Sequence, residues 1–153
     1  GNWQMPVGAL RSGSATELRA GAVSLSEAEG AVLSELLQAS TCGVAKVELS
    51  GCKWPAAWLK AVSDGLAAGT APLTELLADE LRHETEGVSV AQRLQPLVCA
   101  ACSSLRLAHV DLSAQQGGPS STGLFNHSDG SNLLMPLCKL MCREGNALRV
   151  LKL

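Results

Sequence analysis

Six cysteines and three histidines are the residues in this 153-residue chain whose chemistry is most distinctive. Cys99 and Cys102 lie three apart, and Cys138 and Cys142 four apart. Four thiolates at such short pair spacings can close a tetrahedral zinc site. Both pairs, however, fall on stretches expected to be helical, with no glycine or turn beside them. Cysteine is among the most buried residue types and packs as a small apolar group. The pairs are therefore expected to pack, and no metal or cofactor is expected. His109 and Asp111 would share one face of a strand, where an acid–base pair without a pocket is a surface ion pair. His127, Ser128 and Asp129 are sequence neighbours, which prevents the geometry a catalytic triad needs. Phosphate-binding, dinucleotide-binding, H-E-x-x-H and G-x-S-x-G motifs are absent. A non-catalytic protein is expected. A zinc-binding or thiol enzyme built on the cysteine pairs is the distant alternative.

Composition narrows the class further. Twelve Lys+Arg against 14 Asp+Glu give a net charge of −2, which argues against a partner held by bulk positive charge. One Phe, three Trp and no Tyr leave few rings on which bases could stack, so no nucleic-acid partner is expected. A 46% apolar content excludes a disordered polar chain. No stretch approaches the roughly 20 apolar residues that span a bilayer, and no leader-like segment opens the sequence. With thiols kept reduced, the expectation is an intracellular, cytoplasmic protein without a membrane association.

What must position any site is a repeat. Five segments place apolar residues at positions 1, 4 and 6: Ala20-Val23-Leu25, Val44-Val47-Leu49, Leu73-Leu76-Ala78, Leu107-Val110-Leu112 and Leu148-Leu151-Leu153. Alternation between positions 4 and 6 is the period of a strand with one buried face. Between them lie helical patterns: Leu33, Leu36 and Leu37; Leu59, Val62 and Leu66; Leu134, Leu137, Leu140 and Met141. Each set forms one apolar helix stripe in a constant phase to the strand that follows. Ser26 with Glu29 predicts a capped helix over about 27–39, and Pro55 suits the first turn of one over about 55–68. Leu94, Leu97 and Val98 keep phase with Leu105 rather than Leu107, which predicts a two-residue insertion or bulge at 103–106. Pro96 is expected to delay or kink that helix.

Val44-Ala-Lys-Val-Glu-Leu-Ser-Gly-Cys52 and Leu107-Ala-His-Val-Asp-Leu-Ser113 resemble leucine-rich repeats. The long intervening helices are similar to the ribonuclease-inhibitor-like class, as in RanGAP-type and NLR-type repeats. Cys52 falls at position 9, where the family places Asn or Cys to bond the turning backbone; Ala28, Leu81 and Gln115 stand there in other units. Starts near 20, 44, 73, 107 and 148 are 24, 29, 34 and 41 residues apart, against a family repeat of about 28. The resemblance implies an α/β leucine-rich-repeat solenoid over 18–153, a horseshoe segment with parallel strands on the concave face and helices on the convex face. Residues 1–17 read as an N-terminal arm or cap.

One strand–helix unit cannot bury its own apolar face, so neighbours must stack, and the stacked strands form a wall. Positions 3 and 5 of each strand are expected to point out of that wall: Ala22 and Ser24, Lys46 and Glu48, Glu75 and Leu77, His109 and Asp111, Val150 and Lys152. Asp79, Ser113 and Arg149 flank them. The candidate partner-binding set is Lys46, Glu48, Glu75, Asp79, His109, Asp111, Arg149 and Lys152, acidic at the centre and basic at the C-terminal end. Residues 114–132 interrupt the repeat with turn formers, and Leu124 and Phe125 are the candidate docking pair within that loop. The last strand, 148–153, has no polar capping unit after it, so more chain or another subunit is expected to complete that edge. The expected function is a protein-interaction or assembly module acting through the concave face and the C-terminal edge. The alternative is a structural subunit of a large complex, held by its ends and the loop.

Overall fold

The computed structural model describes residues 4–21, 23–82, 90–104, 106–116 and 147–152. Among the described residues, helices form where Leu33-Leu36-Leu37, Leu59-Val62-Leu66 and Leu94-Leu97-Val98 predict them, while the stripe of Leu134, Leu137, Leu140 and Met141 lies outside the described residues. Helix α1 spans Val7–Ser12, in the stretch expected as an arm or cap, and buries Leu10. Helix α2 spans Glu27–Gln38 and begins at Ser26. Ser26 Oγ accepts from the Glu29 amide at 3.3 Å and donates to Glu29 Oε1 at 2.7 Å, while Glu29 Oε2 accepts from the Met5 amide at 3.3 Å. The cap satisfies the Glu29 N–H, one of those that a helix start leaves without partners, and the Glu29 carboxylate ties the N-terminal segment to α2. Helix α3, Ala56–Ala68, follows Pro55 and stops at Gly69, which takes a left-handed φ of 68°. Helix α4, Val90–Ser103, contains Pro96 and buries Leu94, Leu97 and Val98. It starts well before the proline and continues past it, so Pro96 does not set the start of this helix.

Five three-residue strands make one parallel sheet in sequential order: β1 Glu17–Arg19, β2 Lys46–Glu48, β3 Glu75–Leu77, β4 His109–Asp111 and β5 Val150–Lys152. Their central residues stand in register as Leu18, Val47, Leu76, Val110 and Leu151. The first four are at most 2% exposed. Helix α2 packs on α3 and α3 on α4, so the helices form one layer over the buried face of the sheet. Right-handed crossovers between neighbouring parallel strands require such a one-sided arrangement.

The first strand lies earlier than the triplet Ala20-Val23-Leu25 suggests. Leu18, not Val23, pairs with Val47, and the apolar triplet of the first unit is Ala15-Leu18-Ala20. Ala15 is partly buried against the core and Ala20 is 4% exposed. Units therefore start at 15, 44, 73, 107 and 148, and the first two intervals are both 29 residues. The lone bridges Ser24↔Lys53, Lys53↔Arg82 and Arg82↔Gln116 all fall at position 10 of this corrected frame. Position 8 is left-handed in three successive units, at Gly51 (φ 72°), Glu80 (φ 54°) and Ala114 (φ 55°). Of the stretch 103–106, where the insertion is expected, Ser103 is the last residue of α4 and Leu105 lies outside the described residues. Arg106 Nη1 donates to the carbonyls of Gly69 and Ala71, each at 3.3 Å, which ties the segment before β4 to the end of α3.

The turns after the strands are held by position 9. Cys52, fully buried, points its Sγ to the Ala20 carbonyl at 3.5 Å. Leu81, also fully buried, has no polar side-chain atom at the equivalent place, and its carbonyl accepts from the Gln116 amide at 2.8 Å. Gln115 Nε2 donates to the carbonyls of Ala78 at 2.8 Å and Leu112 at 3.0 Å. Trp54 and Trp58, the pair around Pro55, are both buried, and Trp58 Nε1 donates to the Ser26 carbonyl at 2.7 Å. That bond joins the start of α3 to the cap of α2.

Candidate partner-binding surface

Because side chains alternate along a strand, burying Leu18, Val47, Leu76 and Val110 forces their neighbours to the opposite face. That face presents two rows across the sheet. The first is Glu17, Lys46, Glu75, His109 and Val150; the second is Arg19, Glu48, Leu77, Asp111 and Lys152. All ten are exposed or half-buried. Glu17 and Arg19, not Ala22 and Ser24, fill the outward places of the first strand. The 29-residue interval between 44 and 73, extended backwards to 15, is the sequence signal that finds them.

In the N-terminal half of this face, Arg19 and Lys46 pair with Glu48 and Glu75. Arg19 Nε lies 3.2 Å from Glu48 Oε2, and Lys46 Nζ lies 3.6 Å from the same oxygen and 3.7 Å from Glu75 Oε2. Opposite charges on adjacent strands are favourable neighbours. The acidic centre is thus narrower than the residue types alone suggest, and it lies toward Asp79 and Asp111. Asp79 Oδ1 accepts from Ser50 Oγ. Asp111 Oδ1 accepts from the Ser113 amide at 3.0 Å and Ser113 Oγ at 2.6 Å. Glu80, exposed and left-handed at the next position, adds a carboxylate that strand alternation does not reveal.

His109 and Asp111 both lie on this face, but the hydrogen bonds of Asp111 go to Ser113. His109 Nε2 is buried without a hydrogen-bond partner. Arg149 precedes β5 and is exposed, and Lys152 stands in register with Asp111. Cys99 is exposed on α4, while Cys42 and Cys52 are buried. Among the described residues no group of three or more His, Cys, Asp and Glu is placed to hold a metal ion. The side chain of Cys102, and residues Cys138, Cys142, Leu124 and Phe125, lie outside the described residues.

The helix layer carries a separate concavity of about 620 Å³ between α3 and α4, lined by Ala56, Leu59, Ser63 and Pro96 with Lys60, Asp64 and Arg93. It lies among the helices rather than on the strand rows. No helix among the described residues is long and apolar enough to cross a membrane. No protein-family model, curated protein or solved structure matches the chain.

Proposed function

We propose that this chain is a leucine-rich-repeat solenoid segment serving as a non-catalytic protein-interaction or assembly module. Its partner contacts the strand face through Lys46, Glu48, Glu75, Asp79, His109, Asp111, Arg149 and Lys152. The observation that carries this reading is the pair of side-chain rows on the face opposite the helix layer, accessible across five adjacent strands. Strands sit about 4.8 Å apart and packed helices about 8–10 Å apart. A stack with all helices on one side therefore curves with its strands inside, and the rows line a concave wall suited to another protein. Repetition of the left-handed residue at position 8, the bridge at position 10 and the bonds from Cys52 and Gln115 supports the repeat assignment.

A second reading, a structural subunit that contacts its assembly through its ends, draws on the last strand. Leu151 is half-buried where its counterparts are enclosed, and Val150 is 38% exposed. Another strand–helix unit packed against β5 would enclose Leu151 as its counterparts are enclosed, while Val150 stays on the open face. Cross-linking of the protein in its own cells, repeated with Glu48, Glu75 and Asp111 together changed to Lys, separates the two. Loss of the cross-linked partner supports the strand face. Undiminished capture, with links confined to β5, sinks it in favour of the edge.

A further inference from the structure

We draw no further inference here: the strongest candidate, the concavity of about 620 Å³ between α3 and α4 lined by Ala56, Leu59 and Pro96, is an apolar face whose Lys60 and Asp64 already pair with each other, and nothing in the structure shows what covers it.

Discussion

Gln115 and Ala78 are joined across neighbouring units: the Gln115 side-chain amide donates to the Ala78 carbonyl at 2.8 Å. Cys52 and Ala20 stand in the same relation two units earlier, through a sulfur 3.5 Å from the carbonyl. Both donors occupy position 9 and both acceptors position 6, so two unlike side chains perform one task. The amide is the stronger donor, and it also reaches Leu112. Gln115→Ala is expected to lower stability by about 1–2 kcal/mol, because it removes two hydrogen bonds from part-buried carbonyls. Cys52→Ala should cost about 1 kcal/mol, mostly through lost packing at a fully enclosed site. Urea midpoints of the two variants check the order.

Adjacent residues on β3 should behave oppositely. Leu76 is fully enclosed between sheet and helices, so Leu76→Ala should cost about 2–5 kcal/mol. Leu77 faces away from the core, and Leu77→Ser should change stability by no more than about 0.5 kcal/mol. Thermal unfolding of both variants is the check, and a large loss in Leu77→Ser contradicts the assignment of faces.

Gly30 sets the distance between α2 and α3. A Cβ placed there would lie 2.7 Å from Ala57 Cβ and 2.8 Å from the Ala57 carbonyl carbon. Alanine normally favours a helix over glycine by about 1 kcal/mol. Here the overlap is partly with backbone and cannot be relieved by turning a side chain. Gly30→Ala should therefore destabilise by about 1–3 kcal/mol, against its helix propensity. A rise in melting temperature would show that the two helices are less closely packed.

Ala114 offers the reverse case. Its φ of 55° places a Cβ in the left-handed region, which costs roughly 1 kcal/mol for an L-residue. Gly51 already fills the same position of an earlier unit. Ala114→Gly should therefore leave stability unchanged or raise it by up to about 1 kcal/mol, measured by denaturant unfolding.

The cap of α2 links three segments, so Ser26→Ala should cost about 1 kcal/mol and loosen the N-terminal segment as well. Hydrogen exchange at the Glu29 and Met5 amides should quicken together.

Elements that depend only on local period follow from the residues alone. Leu33, Leu36 and Leu37 share one helix face at any register, and Val47 and Val110 alternate with charged or polar neighbours wherever the strand pairs, as Leu76 does on its Glu75 side. From those features the parallel strand–helix alternation, the bounds of α2 and α3, and the outward rows of β2, β3 and β4 were all legible. The first strand is settled by long-range pairing, which agrees with the 29-residue interval and with no purely local pattern. Ala15-Leu18-Ala20 and Ala20-Val23-Leu25 carry the same apolar spacing five residues apart, and neither contains a local signal that prefers it. The choice falls to long-range bonds, chiefly Ala20 N–H to the Glu48 carbonyl at 3.0 Å and Ala45 N–H to the Thr16 carbonyl at 2.8 Å. Sequence likewise showed Glu48 and Glu75 as acidic but not as already paired. Ion pairing follows from which strands lie side by side, and that is fixed only when the units stack.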